Sequence, residues 1–298
     1  MLGELAALGA AIAWTVSAVL YKKGLSKIEP LQANIMRLGC TSLVLVGFVI
    51  AIGKSHVFLG LPANALVLSA LSGLIGLGIG DTLYMMSLKQ IGVSTAVPLT
   101  CTYPLFSLLL ALIIQPKTVS SEAVVGAVAI VFGIWLLTKG EAADEAEKRE
   151  FRVKGAIYAL GTAVLWAVSI AMINAAVTLP ETSTLDGALV LNTLRVLSAA
   201  ISLVTIVPLI RKKSSFIKIQ RRSVALLTVG GVVALGLGWF LLAYSFLYIP
   251  EARAVPISST TPLFAVFSGV IFLRERISIR NVVGATIIVI GIFILFLL

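Results

Sequence analysis

The sequence predicts an all-α integral membrane protein of ten transmembrane helices, arranged as two inverted five-helix repeats, and three observations support this. The first is composition: 59% of the 298 residues are hydrophobic and 12% are charged, with a mean hydropathy of +1.08. So few charges cannot cover a water-exposed surface. The second is a series of ten apolar stretches, and the third is an internal repeat. Two cysteines and one histidine predict no disulfide framework, metal site or cofactor.

The ten apolar stretches are each close to the roughly 20 residues that a helix needs to cross a bilayer core of about 30 Å. A polar stretch that alternates acids and bases separates the fifth from the sixth. We therefore predict five helices on either side of it. The predicted helices are Leu2–Tyr21, Leu31–Ile52, Ala65–Leu88, Thr95–Ile114, Ala123–Thr138, Gly155–Val177, Gly187–Ile210, Val224–Leu247, Ala254–Leu273 and Asn281–Leu298.

The internal repeat aligns the two halves when the sequence is shifted by 158 positions, or by 152 in the first helix of each half. It predicts a first unit over residues 1–138, a charged linker over 139–153 and a second unit over 154–298. Five is an odd number, so the second unit must enter the membrane from the opposite side. Inverted repeats of this kind place a binding site between the halves and exchange conformations to give alternating access. The matched residues include Asn34 with Asn192, Arg37 with Arg195, Gly78 and Gly80 with Gly236 and Gly238, Pro98 with Pro256, and Trp14 with Trp166.

The basic residues predict the orientation. The net charge is +10, but the lysines and arginines form short clusters between apolar stretches, so no nucleic-acid partner is predicted. Loops after the odd-numbered helices hold 18 of them and the other loops hold 3. By the positive-inside rule, the side with 18 is cytoplasmic, and both termini of this cell-membrane protein lie outside.

Several motifs carry a resemblance to a known family. They are Asn34-x-x-Arg37 and Asn192-x-x-Arg195 after the Trp14 and Trp166 helices, the run Gly78 to Tyr84, and the segments Ala96-Val97-Pro98 and Pro104-Leu105-Phe106. With their repeats, these resemble ten-helix EamA-type members of the drug/metabolite transporter superfamily. The resemblance implies secondary transport of small metabolites, often export, through a cavity lined by the first four helices of each half.

Two features depart from that family's pattern. Small multidrug relatives carry a glutamate in the middle of the first helix for proton exchange, whereas here Glu4 stands at the helix start and the interior has no acid. The resemblance therefore does not transfer that mechanism. Family members also often have cytoplasmic termini, whereas the count of basic residues in this chain predicts that both termini lie outside.

Three charged residues lie well inside predicted helices, where each costs at least about 2.5 kcal/mol on insertion scales. Arg37 and Asp81 lie at the same predicted depth, so we expect an ion pair that serves either as structure or as a gate or proton-sensitive couple. Arg195 has Trp239 where its counterpart has Asp81. We hypothesise that Arg195 binds a substrate carboxylate or phosphate; the alternatives are snorkelling to the interface, a backbone carbonyl or Asp186.

Aromatic and amide side chains are further candidates for the wall of the cavity. Trp14, Trp166, Trp239, Tyr84 and Tyr103 would select a planar or apolar group, unless they form interfacial belts or pack helices. The asparagines at 34 and 192 lie one turn before the arginines and face the same way. Pro98 and Pro256 provide either hinges or fixed kinks, and glycines at 126, 133, 284 and 291 form a packing or dimer surface.

The function predicted from these observations is alternating-access movement of a small metabolite, such as an amino acid or organic acid, by an exporter or exchanger. The same fold moving lipid-linked cargo is the alternative. A channel suits the inverted repeat less well, and an enzyme would need a catalytic pair that the motifs do not provide. The predicted partners are a small-molecule substrate and the bilayer, with the chain acting as a monomer or homodimer.

Overall fold

A computed structural model describes residues 1–114, 121–138, 146–210, 220–275 and 277–297, and every regular element within them is helical. Two π-helical segments and one short 3-10 helix, Leu25–Lys27, interrupt or follow the α-helices. The helices are α1 Leu2–Gly24, α2 Pro30–Ala51, α3 His56–Leu59, α4 Ala63–Ser72, α5 Asp81–Ile91, α6 Val93–Thr100, α7 Tyr103–Ile114, α8 Ser121–Thr138, α9 Ala146–Val177, α10 Leu185–Ile210, α11 Arg221–Gly231, α12 Trp239–Ser245, α13 Glu251–Ser258, α14 Thr261–Leu273 and α15 Ile279–Leu297.

Eight stretches of the described chain are long and apolar enough to cross a membrane. Two further apolar helices, Glu122–Thr138 and Ile279–Leu295, are shorter. The chain is thus a multi-pass helical membrane protein, while the count of ten crossings and the opposite orientation of the halves stay predictions. The eight stretches are Leu2–Gly24, Pro30–Ala51, Ala63–Ile91, Val93–Leu110, Glu150–Val177, Leu185–Pro208, Arg221–Ser245 and Arg253–Leu273.

The predicted third and eighth helices each contain a π-helical segment that hydropathy did not indicate. Gly73–Gly80 joins α4 to α5, and Val232–Gly238 joins α11 to α12. A π-turn leaves backbone carbonyls without their usual helical donor, and asparagine side chains donate to them. Asn34 Nδ2 lies 2.9 Å from the Leu77 carbonyl, and Asn192 Nδ2 lies 2.7 Å from the carbonyl of Leu235, the matched position.

The predicted fourth and ninth helices are each split at a matched position. α6 ends at Thr100 before α7 begins at Tyr103, and α13 ends at Ser258 before α14 begins at Thr261. The reason is Pro104 and its counterpart Pro262: proline has no N–H to donate four residues back, and its ring crowds the carbonyl there. Each pair of helices still lies within one stretch that is long and apolar enough to cross a membrane, Val93–Leu110 and Arg253–Leu273.

The charged linker predicted at 139–153 is partly helical. α9 begins at Ala146 and runs to Val177 without interruption, and an exposed pair, Glu150 with Lys154 at 2.5 Å, spans one of its turns. The first residues of the linker, 139–145, lie outside the described residues. So do seven basic residues used in the orientation count, namely Lys117, Lys139, Arg211, Lys212, Lys213, Lys218 and Arg276.

Each half contributes a first helix that packs against the other half. α1 contacts α11 to α14, and α9 contacts α4 to α7, while α2 and α10 meet at the centre. α8 packs along α15 through glycines: a Cβ at Gly126 would lie 2.7 Å from the Gly291 carbonyl oxygen, and a Cβ at Gly133 would lie 2.9 Å from that of Gly284. The matched glycines therefore pack the chain against itself.

Candidate functional site

A small cavity of about 30 Å³ lies where the two halves meet. That space holds one or two water molecules at most. Helices α1, α2, α5 and α9 and the second π segment with α12 all reach it. The residues that line it are Trp14, Ser17, Tyr21, Arg37, Asp81, Tyr84, Trp166, Ala234, Leu235 and Trp239.

Four of the predicted aromatic residues form one cluster around this cavity. Trp14 lies 4.9 Å from Trp239 between ring centroids, Trp166 lies 6.1 Å from Trp239, and Tyr84 lies 5.2 Å from Trp166. Tilted and edge-on contacts of this kind are favourable arrangements for aromatic rings. Both halves of the chain therefore supply the aromatic wall.

Tyr103, also predicted for the wall, does not line the cavity. It lies edge-on to Trp166 at 6.4 Å, and its hydroxyl contacts the hydroxyls of Ser258 at 2.9 Å and Ser259 at 3.1 Å. Those serines stand at the break between α13 and α14, so Tyr103 ties the break of one half to a helix of the other. Pro98 and Pro256 are buried in α6 and α13 and do not line the cavity either.

Arg37 and Asp81 form the ion pair expected from their shared depth. Arg37 Nη2 lies 2.6 Å from Asp81 Oδ2, and both side chains are buried. The other carboxylate oxygen accepts a hydrogen bond from Trp166 Nε1 at 2.8 Å. The guanidinium also stacks on Tyr21 at 4.8 Å. Asp81 thus joins three helices, two of the first half and one of the second.

Asn34 extends the network around Asp81 instead of lining the cavity. Its carbonyl accepts from Arg37 Nη2 at 2.6 Å, and its amide donates to Thr82 Oγ1 at 2.8 Å as well as to the π segment. The amide is fully used by protein groups. Asn192 is buried at the matched place, but among the described residues its side-chain carbonyl has no hydrogen-bond partner.

Arg195 is completely buried, and no carboxylate of the described residues forms an ion pair with it. Its Nη2 donates to Ser169 Oγ at 2.7 Å, and the guanidinium carbon lies 4.0 Å from the centre of the Trp239 ring. Among the described residues, Nε and Nη1 have no hydrogen-bond partner. Its full burial does not fit snorkelling, and Asp186 instead pairs with Lys54 at 2.5 Å.

Sequence reasoning missed Ser17 and Tyr21, which line the cavity. Both lie on the α1 face that carries Trp14, three and seven residues further along, and helical spacing would have placed them there. It also missed the serine pair that supports Arg195: Ser72 and Ser169 each donate to the other's backbone carbonyl at 2.8 Å. Their neighbours are apolar or small, so no pattern singled them out.

Contacts between the halves lie at both ends of the bundle. At one end, the Glu275 carboxylate accepts hydrogen bonds from the N–H groups of Val93 and Ser94, at 2.8 and 2.9 Å. At the other end, Arg253 Nη2 lies 3.0 Å from Glu4 Oε1. The Lys54–Asp186 pair lies at that same end. These contacts hold the two halves together above and below the cavity.

The fold and this buried polar centre define a multi-pass membrane protein with its two halves joined around a charged, aromatic cavity. The model of the EamA-like transporter family matches residues 1–139 and 153–297. The chain therefore belongs to the EamA-like transporter family, part of the drug/metabolite transporter superfamily, which confirms the resemblance seen in its motifs. It is a membrane transporter, embedded in a bilayer and acting on a small molecule.

Two similar proteins bear on the family and on the fold, respectively. One from Archaeoglobus fulgidus, named as an uncharacterized transporter, is 30% identical over 299 residues, covering 100% of this chain and 99% of the relative. A solved crystal structure with 18% identity superimposes with a TM-score of 0.67, covering 99% of this chain and 96% of its own. At that identity, the second comparison supports the fold alone.

Proposed function

We propose that this protein is a secondary transporter that moves a small metabolite by alternating access, as an exporter or exchanger. The observation that carries the proposal is the cavity at the meeting of the halves, with wall residues from both. A site so placed is exposed to one side when the halves rock one way, and to the other side when they rock back.

The packing of α8 and α15 supports opposite orientation of the two units. Gly126, early in α8, faces Gly291, late in α15, while Gly133 faces Gly284. The matched helices therefore run antiparallel to each other. If both cross the bilayer, the chain has ten crossings and its two units are inverted, as the odd number of helices in each unit requires.

The helix irregularities support movement about the cavity. Each half has one π segment and one proline break, at matched positions. Irregular turns are the places where a helix bends with least loss of backbone hydrogen bonds. The contacts of Glu275 and of Arg253 lie at opposite ends, so opening one end requires breaking one set while the other is kept.

Trans-stimulated efflux from proteoliposomes tests the proposal. Vesicles are loaded with a radiolabelled metabolite from a panel of amino acids and organic acids, and efflux is measured with and without the same unlabelled compound outside. An exchanger speeds efflux when the compound is present outside, whereas a channel does not. Gly47→Ala, on an exposed face of α2 with open space at its Cβ, should behave like the parent. If no panel compound moves, or if efflux never responds to outside compound, the proposal is wrong.

A further inference from the structure

We infer that the protein contains a subsite for a carboxylate group between its two halves, formed by Trp14 Nε1 of the first half and Arg195 of the second, and occupied in this conformation by the indole ring of Trp239. The inference rests on the proposed function, because the carboxylate belongs to the transported metabolite. It follows from comparing the two halves position by position.

At Asp81, two donors converge on one acid, Arg37 from the first half and Trp166 from the second. Trp166 Nε1 and Arg37 Nη2 each donate to a different oxygen of Asp81, at 2.8 and 2.6 Å. The carboxylate thereby satisfies an indole N–H and compensates a buried guanidinium. Charge-assisted bonds of this type are the strong ones in a low-dielectric interior.

At the matched place around Trp239, the same two kinds of donor are present without the acid, again one from each half. Trp14 and Arg195 stand at the positions matched to Trp166 and Arg37, and the position matched to Asp81 is Trp239. Among the described residues, Trp14 Nε1 and two nitrogens of Arg195 are buried without a hydrogen-bond partner. Such groups are costly, and they are rare unless a ligand satisfies them.

The two tryptophans lie in the same way against their matched glycines, so the two places can be compared. A Cβ at Gly80 would lie 3.2 Å from Trp166 Cδ1, and a Cβ at the matched Gly238 would lie 2.7 Å from Trp14 Nε1. Each tryptophan therefore lies against the glycine that directly precedes Asp81 or its counterpart, Trp239. Trp14 Nε1 thus lies beside Gly238, the residue before Trp239, which corresponds to Asp81.

Trp239 partly compensates for the missing acid. Its ring lies 4.0 Å from the Arg195 guanidinium carbon and 4.9 Å from the centre of Trp14. A cation over an indole face is attracted to it, but less than to a carboxylate. Among the described residues, the buried charged side chains of this centre are Arg37, Asp81 and Arg195, which leaves one positive charge for an anion to neutralise. Because Trp239 also lines the cavity, turning its ring aside joins the subsite to the cavity.

The replacement Trp239→Asp tests the inference, because it supplies the acid that the first half already has. Its matched control is Trp239→Asn, which has the same size without the charge. We expect Trp239→Asp to unfold at a higher temperature than Trp239→Asn, since Arg195 gains a counter-ion. We also expect it to bind benzoate at least about tenfold more weakly, because its own carboxylate fills the subsite.

The probe is the rise in unfolding temperature of the purified full chain with benzoate, compared with benzamide, its neutral isostere. The parent should prefer benzoate, Arg195→Gln should lose that preference, and Arg222→Gln, which changes an exposed arginine away from the cavity, should keep it. This comparison holds even if the Trp239 variants fail to fold. Methyl phosphate in a parallel series shows whether the subsite also takes a phosphate.

Equal response of the parent to benzoate and benzamide would overturn the inference, as would a preference that survives Arg195→Gln. A stronger response to methyl phosphate than to benzoate would overturn the assignment to carboxylates. The trans-stimulated efflux assay separates failure of the carboxylate subsite from failure of the proposed function. If Arg195→Gln leaves trans-stimulated exchange intact, the proposed transport stands and the subsite is rejected. If benzoate preference depends on Arg195 but no exchange is seen, the subsite stands and the proposed transport is rejected.

Discussion

At the scale of single residues, Asp81 links the two halves, because Arg37 of the first half and Trp166 of the second both donate to its carboxylate, directly after the π segment. Removing one partner of a buried ion pair costs about 3–5 kcal/mol, since the other charge stays buried alone. We therefore expect Asp81→Asn to lower the unfolding temperature of the purified protein strongly. The double variant Arg37→Gln with Asp81→Asn should recover most of the loss.

Transport by that double variant decides between the two roles predicted for the pair. Exchange at the parental rate supports a structural pair, and loss of exchange in a well-folded double variant supports a gate. An Asp81→Asn variant as stable as the parent would contradict the assignment of Arg37 as its main partner.

The residues of this centre were only partly predictable from the sequence. The pairing of Arg37 with Asp81 followed from depth, because residue counts along helices fix height in the membrane. The bond from Trp166 to Asp81 did not follow, since it depends on how the two halves dock. For the same reason, the sequence showed that Arg195 lacks an acid but not that Ser169 and Trp239 take its place.

At the scale of elements, the two asparagines that donate to the π segments differ in how many hydrogen bonds their side chains make. Asn34 makes four hydrogen bonds, to Leu77, Gly78, Thr82 and Arg37, whereas Asn192 makes one. Leaving a buried carbonyl without a donor costs about 1–3 kcal/mol. Asn34→Leu should therefore destabilise the protein more than Asn192→Leu, measured as the shift in thermal unfolding of each variant. Equal shifts would mean that the π segments persist without these amides.

The packing of α8 on α15 gives a second prediction for elements. Gly126→Ala places a methyl group 2.7 Å from the Gly291 carbonyl oxygen, and overpacking of this kind costs about 1–3 kcal/mol. The matched change Gly47→Ala meets no atom within 4 Å and should raise helix stability by up to about 1 kcal/mol. Thermal unfolding of both variants measures the contrast. A neutral Gly126→Ala would show that the two helices separate easily.

Hydropathy predicted where the helices lie but not their interruptions. Apolar length places a helix in the bilayer whatever its internal hydrogen bonding, so the π segments and the proline breaks left the hydropathy pattern unchanged. Pro104 and Pro262 were visible as candidate kinks, yet a full break depends on the surrounding contacts. The helical second part of the predicted linker, from Ala146 onward, was missed because charged residues also suit an exposed helix stabilised by pairs such as Glu150 with Lys154.

At the scale of the whole molecule, the internal repeat is the observation from which two matched units were predicted. Because matched positions recur after a constant shift, the place where two halves differ stands out, and Trp239 opposite Asp81 is such a place. Orientation depends on different information. The positive-inside rule reads it from the loops, several of whose basic residues lie outside the described residues.

Both termini are predicted to lie outside the cell, and two serines test this. Ser26 follows α1 and Ser55 follows α2, and both are exposed, so they lie at opposite ends of a helical hairpin. In a background with Cys40 and Cys101 replaced by alanine, Ser55→Cys should react with a membrane-impermeant maleimide in intact cells. Ser26→Cys should react only after the cells are opened, because it belongs to the lysine-rich side. The reverse pattern would place the termini in the cytoplasm and would show that 18 basic residues against 3 do not set the orientation of this chain.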